Sequence, residues 1–332
     1  MKPITISHIS HGIVETGGYR HEQFLLQSIA NFLRNKNCEV NEKKIRAKKS
    51  FDGIEHIKLL WFGFVNSISD INIVVARVAL PAIIRNLFTN RKLIIVLHYF
   101  DERDGKKQTL KWYYNLLFFV LQNIPSKNIS IVVPSFFWFK YFNTKMKGNI
   151  PVFCFPNFFE TENYMNYRAS EKLKQIHLGQ FSWKNDKRIF ELAKQLSAQG
   201  FRCYFSTMQK EDVGNFDDYD VVLEEHETYL ERMSQSLYTL AFIGVNEGWN
   251  RVAHESILVN TPLIGNNAGG LGDLIRESGS MMANDVNEFL NGINSENHSS
   301  PKKEFIEKYD VKNAGNFLKP ITDFILRDLK IS

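Results

Sequence analysis

Two carboxylates eight residues apart, Glu247 and Glu255, carry the clearest chemistry in the chain. They lie in the run NEGWNRVAHESILVNTPLIGNNAGGLGDLI, residues 246 to 275. Along a helix that separation is about 12 Å. The two cannot share a proton, but they can touch two ends of one extended polar ligand. Glu247 falls in a Glu-Gly turn, and Glu255 inside an apolar-periodic helix that begins near Asn250. A helix N-terminus after a glycine turn offers free N–H groups and a positive dipole end. Carboxylates accept from vicinal hydroxyls with charge-assisted strength. Carboxylates for hydroxyls beside amides for phosphate suit a nucleotide sugar. The bland alternative for Glu255 is an exposed helix carboxylate. Against it, Val252, Ile257 and Leu258 mark a buried face and Glu255 lies beside it.

Other residues could serve the same ligand. Gly17 and Gly18 lie between the first strand and the first helix, where a glycine turn lets the backbone approach a phosphate. The spacing is not GxGxxG, so a dinucleotide reading has no support. An ordinary turn is the alternative. His98 closes the apolar strand IIVLHYFD, and ligands gather at the carboxyl ends of parallel strands. It is either a satisfied core histidine or a site residue. Asp101 and Glu102 follow it and read first as solvated loop charge, second as contacts for an acceptor hydroxyl. The run Gly179–Arg188, GQFSWKNDKR, places Lys184, Lys187 and Arg188 in one loop after a strand. Cations there would neutralise a diphosphate; the alternative is a solvated helix start. Gly269 and Gly270 form either a close backbone turn at the ligand or an ordinary one.

The 246–275 segment resembles the E-x7-E region of retaining glycosyltransferases of family 4, which have the GT-B fold. Their pattern runs roughly EGFGxxxxEAMACGTPVIASDVGGLPEII. Here Glu247-Gly248-Trp249-Asn250, Glu255-Ser256, Thr261-Pro262-Leu263-Ile264 and Gly269-Gly270-Leu271-Gly272-Asp273 follow it without a gap. Trp249-Asn250 replaces Phe-Gly, Gly272 replaces Pro, and Asp273 replaces Glu. The resemblance implies that Glu247 contacts the donor sugar and Glu255 the ribose hydroxyls. The amides of Gly248, Trp249 and Asn250 would line the sugar and phosphate, and Gly269-Gly270 would face the donor. Gly17-Gly18 matches the family's early glycine loop, and His98 its strand-end histidine near the transferred sugar. The family's Gly-Arg followed by Lys, which stabilises the departing diphosphate, is altered: Gln180 stands in place of Arg. Lys187 is the first assignment for the family lysine and Lys184 the second. His98, Glu247 and Lys187 are thus the expected catalytic residues.

By the same resemblance the fold is α/β, GT-B, with two Rossmann-like domains facing across a cleft and a C-terminal helix crossing back to the first. The reaction would be retaining transfer from a UDP- or GDP-type sugar to a glycan or lipid-linked glycan hydroxyl, in bacterial surface polysaccharide assembly such as capsule or lipopolysaccharide. No metal and no cofactor are implied, the donor being a co-substrate. Two alternatives stay open: a GT-B sugar-nucleotide epimerase, and a catalytically weak nucleotide-sugar binder in which Gln180 marks lost diphosphate chemistry.

The chain must position these residues with two α/β units, since apolar runs alternate with amphipathic stretches throughout its 332 residues. Strands are expected over 4–9, 71–75, 92–97, 129–133 and 152–155, with helices over 21–35 and 110–122. A linker is expected over 156–170. A second unit follows, with strands at 175–178, 202–205, 221–223, 240–242 and 263–264, and helices over 188–199, 228–236 and 252–258. A polar mobile loop is expected over 291–301 and a mostly helical tail over 302–329. The predicted domains are 1–160, 161–310 and the tail 311–332.

No apolar run is long enough to span a bilayer, and the polar-flanked start MKPITISHIS reads as a strand rather than a signal peptide. Cys38, Cys154 and Cys203 are widely spaced and suit inert thiols in a reducing cytoplasm. Residues 1–165 hold 22 Lys+Arg against 12 Asp+Glu, while the remainder holds 19 against 24. A basic first half makes an anionic membrane surface a candidate partner and the inner face of the plasma membrane a candidate location. The run 136–142, with six aromatics in seven residues, exceeds what one helix face buries and is expected to expose some of them. Scattered basic residues without a recognition-helix stripe argue against nucleic acid.

Overall fold

The computed structural model describes residues 3–10, 17–46, 55–89, 91–98, 108–124, 126–295 and 302–327. Asp101 and Glu102 lie outside the described residues. The chain forms two compact units, Met1–Pro156 together with Ala314–Ser332, and Asn157–Asn313.

The first unit runs β1 (Ile4–Ser10), α1 (Gly17–Asn35), β2 (Val40–Arg46), α2 (Glu55–Asn66), β3 (Ile71–Val75), α3 (Ala76–Asn86), β4 (Lys92–Val96), α4 (Gln108–Asn123), β5 (Ile129–Val133), α5 (Phe136–Met146) and β6 (Val152–Cys154). The strands form one parallel sheet in the order β2-β1-β3-β4-β5-β6. The aliphatic runs of β3, β4 and β5 are buried throughout, as central parallel strands covered on both faces must be. The strand order reverses after β2, so right-handed crossovers put α2 to α5 on one face and α1 on the other. The core agrees: α3, α4 and α5 pack Val78, Ile83, Leu117, Leu121, Trp138 and Phe142 onto one cluster. Gly63 lets α2 lie close on α3, since a Cβ there would come 3.0 Å from Pro81 Cγ and from the Val78 carbonyl oxygen. The C-terminal helix, Ala314–Leu326, belongs to this unit and packs on α1 and β6.

Two expectations need correction here. Strand β2, VNEKKIR, is polar and sits at the sheet edge, where charges guard against pairing with another chain, so it lacks an apolar signature. The aromatic run exposes none of its rings: Trp138 and Phe142 are buried and the other four are half-buried. Helix α5 spreads them between the sheet core and neighbouring helices, with Phe118 against Phe142 and Phe136 against Phe317.

The second unit runs α6 (Thr161–Met165), β7 (Leu173–Gln180), α7 (Arg188–Ala198), β8 (Arg202–Thr207), β9 (Gly214–Asn215), β10 (Asp220–Leu223), α8 (His226–Gln235), β11 (Ser236–Ala241), α9 (Arg251–Leu258), β12 (Leu263–Gly265), α10 (Gly270–Ser278), β13 (Met281–Met282), α11 (Val286–Asn294) and α12 (Lys303–Lys308). Its sheet order is β13-β12-β11-β7-β8-β10-β9, parallel except for β9. The chain moves outward from β7 to β10 and then returns to lay β11 on the other side of β7. The carboxyl ends of β7 and β11 therefore flank a topological switch point, where open α/β sheets bind ligands.

Residues 156–170 are not a loose linker. Phe158 and Phe159 are buried, Phe159 N donates to the Tyr309 oxygen at 3.0 Å, and Val311 N donates to the Phe159 oxygen at 3.0 Å. Nor is the 291–301 stretch all loop, since helix α11 continues to Asn294; residues 296–301 lie outside those described. Among the described residues no helix is long and apolar enough to cross a membrane.

Candidate active site

Glu247 stands in the loop after β11, and Lys184 in the loop after β7, the two strands of the switch point. The loops are stitched together by backbone: Asp186 N donates to the Phe242 oxygen at 3.0 Å and Gly244 N to the Lys184 oxygen at 2.8 Å. Asn266 pins the same loop, accepting from Ile243 N at 3.0 Å and donating to the Ile243 oxygen at 2.8 Å. The result is an ion pair, Lys184 Nζ to Glu247 Oε1 at 2.9 Å, with the carboxylate side chain only 9% exposed. Beneath it, Gly270 N donates to the Glu247 oxygen at 2.8 Å. Gly269 has φ 61°, and a Cβ there would lie 2.6 Å from that oxygen. Only glycine fits the turn that holds Glu247.

The next residues support this loop from behind. Trp249 is buried, its indole N–H donating to His254 Nδ1 at 3.2 Å and its ring lying 4.9 Å from that of Tyr309. His254 is enclosed by Trp249, Phe159, Phe305 and Tyr309, and burial drives its pKa well below the usual histidine range. Asn250 caps α9, its side chain accepting from Ala253 N at 2.8 Å. Trp249 and Asn250 therefore have structural work for their side chains, leaving their backbone and that of Gly248 to meet a ligand.

Glu255 is a buried carboxylate on α9. Tyr229 donates to its Oε2 at 3.2 Å and Arg251 Nη2 stands 3.3 Å from its Oε1. Burial and then the Glu255 charge push the Tyr229 hydroxyl well above the usual tyrosine range, so it stays a donor. Sequence reasoning missed both partners. Arg251 was legible as an i,i+4 partner of Glu255, whereas Tyr229 arrives from another helix.

The remaining cations of the 180s loop are not equivalent. Gln180 ends β7 and is exposed. Lys187 is exposed at the start of α7. Arg188 is tied to Asp186 at 2.8 Å and lies 4.7 Å over the Phe242 ring. The structure brings Lys184, not Lys187, to Glu247.

His98 belongs to the first unit, at the end of β4, and there it joins a cluster the sequence did not reveal. His98 Nε2 lies 2.6 Å from Glu22 Oε1, and His8 Nε2 lies 2.7 Å from Glu22 Oε2. Gln23 Nε2 is 2.7 Å from His8 Nδ1. With Gln23 donating to that nitrogen, His8 keeps its proton on Nε2 and donates it in a hydrogen bond to Glu22. Burial pushes the Glu22 carboxyl up, but the hydrogen bonds it accepts from His8 and His98 outweigh it and hold the pKa at about 2. A His98 that donates through Nε2 presents Nδ1 as an acceptor. Gly18 makes room for this ring, since a Cβ on it would meet His98 Nε2 at 3.1 Å. Gly17 opens α1 beside it. One signal did point to Glu22: it sits three and four residues before Leu25 and Leu26 on the stripe that continues through Ile29 and Leu33. A carboxylate on an apolar stripe needs partners.

Asp218-Tyr219-Asp220 is an Asp-x-Asp pair, spaced to share a cation, that the expectation of metal independence overlooked. Asp220 Oδ2 accepts from Arg202 at 3.0 Å on a partly exposed strand near the sheet edge. Among the described residues no group of three His, Cys, Asp or Glu could hold a metal ion.

No protein-family profile matches the sequence, and no curated protein sequence matches it. Solved structures match along nearly its whole length. HepE from Anabaena, in complex with UDP and glucose, aligns over 96% of this chain and 99% of its own at 12% identity, TM-score 0.68. A glycosyltransferase from Rickettsia africae aligns over 99% and 100% at 13% identity, TM-score 0.68. Sucrose-phosphate synthase from Thermosynechococcus elongatus aligns over 97% and 99% at 12% identity, TM-score 0.70. The two parallel-sheet α/β units of this chain thus have the GT-B fold of these glycosyltransferases.

Proposed function

We propose that the chain is a retaining, metal-independent glycosyltransferase. It moves a sugar from a UDP- or GDP-type donor to a hydroxyl of a glycan or lipid-linked glycan, in bacterial surface polysaccharide assembly. The observation that carries the reading is the Lys184–Glu247 pair, held over the Gly269-Gly270 turn at the switch point of the second sheet. That HepE was crystallised with UDP and glucose on the same fold supports a nucleotide-sugar donor.

Glu247 accepts from hydroxyls of the donor sugar, and Glu255, with Tyr229 and Arg251 behind it, from those of the ribose. Lys184 faces the diphosphate and stabilises its charge as the bond to the anomeric carbon breaks, aided by the amides that open α9. The acceptor hydroxyl attacks the same face, and its proton passes to the departing phosphate oxygen. In this reading Glu247 binds the sugar, paired with Lys184, and forms no covalent bond to it. His98, oriented by Glu22, offers Nδ1 to a hydroxyl of the acceptor.

One observation favours a second reading, a weak nucleotide-sugar binder: Gln180 supplies no charge and Arg188 is spent on Asp186. A nucleotide-diphosphate release assay with and without glycan acceptors separates the readings. Acceptor-dependent release giving a product of retained configuration by NMR supports transfer. Inverted product rejects the mechanism, acceptor-free epimerisation identifies an epimerase, and binding without turnover identifies the binder.

A further inference from the structure

The first unit carries an apolar surface that the donor chemistry does not use. Trp61 on α2 is 66% exposed, Phe88 just beyond α3 is 83% exposed, and Phe119 on α4 is 63% exposed. Ile68, Ile84 and Leu87 are also exposed. All come from the helical layer on one face of the sheet or from the connections that leave it. Each of these helices runs back to the amino end of the next parallel strand. Their C-terminal ends therefore share one sheet edge, the one opposite the ligand-binding carboxyl ends. Trp61 lies five residues before the end of α2 and Phe119 four before the end of α4. At about 1.5 Å per residue both rings start within roughly 8 Å of that edge.

The charge on this layer is mostly positive. Helices α2 to α5 contain six basic residues and a single acidic one, Glu55. The connections at the same edge add Arg91, Lys127 and Lys147. The carboxylate there, Asp70, is turned inward, accepting from Thr5 N and Thr5 Oγ1 at 2.8 Å each. The second unit also exposes large apolar side chains, but Met208 and Phe216 sit among Glu211, Asp212, Asp217 and Asp218. Exposed tryptophan and phenylalanine at the same strand ends as Arg91, Lys127 and Lys147, with Asp70 turned inward, is the chemistry of a surface that settles at a lipid headgroup layer.

We propose that the α2–α4 edge of the first unit docks on an anionic lipid bilayer, seating Trp61, Phe88 and Phe119 in the headgroup region while Arg91, Lys127 and Lys147 face acidic lipid. This surface is separate from the aromatic run of α5, whose rings are buried or half-buried. The docking does not rest on the transferase reading, because vesicle binding and donor binding are measured separately.

The test is co-sedimentation of the full chain with vesicles of phosphatidylcholine alone or mixed equally with phosphatidylglycerol. Binding to the mixed vesicles should exceed binding to phosphatidylcholine by about tenfold or more. Trp61→Ser/Phe88→Ser/Phe119→Ser should weaken it by at least about tenfold. Lys127→Glu/Lys147→Glu should abolish the preference for anionic lipid. Both variants should keep the wild-type melting temperature and donor response. If the triple variant fails to fold, Phe88→Ser alone and the charge reversal decide. No binding of the wild type to anionic vesicles overturns the proposal, as does undiminished binding of the variants. A wild-type dimer in light scattering that the triple variant converts to monomer also overturns it, since a second copy then covers this face.

Discussion

Replacing Gly269 by alanine tests whether the Glu247 turn is as tightly built as its geometry implies. Gly269 has φ 61° and ψ −125°, a region essentially closed to other residues. Forcing alanine into it costs about 1–3 kcal/mol. The new methyl would also lie 2.6 Å from the Glu247 oxygen and 3.0 Å from its nitrogen. Both are backbone atoms in hydrogen bonds, to Gly270 N and the Ala268 oxygen. Moving them adds about 1–3 kcal/mol of overpacking. The sum centres on about 4 kcal/mol, or roughly 8–16 °C of melting temperature for a unit of this size. Gly279 in the same unit is the control. Its φ is also positive, at 76°, but the nearest obstruction is the flexible end of Lys302 at 3.0 Å. Gly279→Ala should cost only about 1–2 kcal/mol. Thermal unfolding followed by circular dichroism measures both. Gly269→Ala melting no lower than Gly279→Ala would refute the reasoning.

Other expectations follow from the same geometry. Lys184→Ala should weaken donor binding by about tenfold or more, whereas Lys187→Ala should change it less than about threefold, because only Lys184 reaches Glu247; calorimetric titration decides, and the reverse order would return the role to Lys187. His177 is fully buried, and burial lowers its pKa to about 3. It thus contributes stability that is complete above the unfolded value of about 6.5 and declines as pH falls below it. About 2 kcal/mol should be gone by pH 5. His177→Asn should reduce the slope in urea titrations, buried His254 supplying the part that remains, and an unchanged slope would exclude His177 as a source. The Glu22 carboxyl, held at about 2, contributes in a lower window: its stabilisation is complete above about 4.5 and is lost as pH falls toward 2. Trp249→Phe removes the donor to His254 Nδ1 and should cost about 1–3 kcal/mol in unfolding free energy; a neutral result would mean that the indole N–H is not needed to hold the loop.

Much of this architecture was legible because its signals are local. Aliphatic runs closed by turns located β3, β4 and β5, and periodicity located α1 and α9. The carboxylates, the Asn250 cap and the Gly269 turn share one stretch of chain, so their spacing was visible at once. What stayed hidden is held by contacts between distant residues. His8, Glu22 and His98 meet only when α1 packs on the sheet, and Tyr229 reaches Glu255 from a neighbouring helix. Strand β2 pairs by backbone along an edge and has no apolar pattern to betray it. The choice between Lys184 and Lys187 depended on a loop geometry set by bonds to Phe242 and Gly244.

The measurement that bears most directly on the central claim is a thermal-shift panel of UDP-, GDP-, ADP- and CMP-sugars on the wild-type chain, Glu247→Gln and Glu255→Ala. A ligand bound to the native state raises the melting temperature by mass action, about 2.7 kcal/mol at a hundredfold excess over Kd. The account expects stabilisation by a UDP- or GDP-sugar, lost or sharply reduced in both variants while they remain folded. No stabilisation by any of the four donors, or an equal shift in the wild type and both variants, would contradict a donor site built on Glu247 and Glu255.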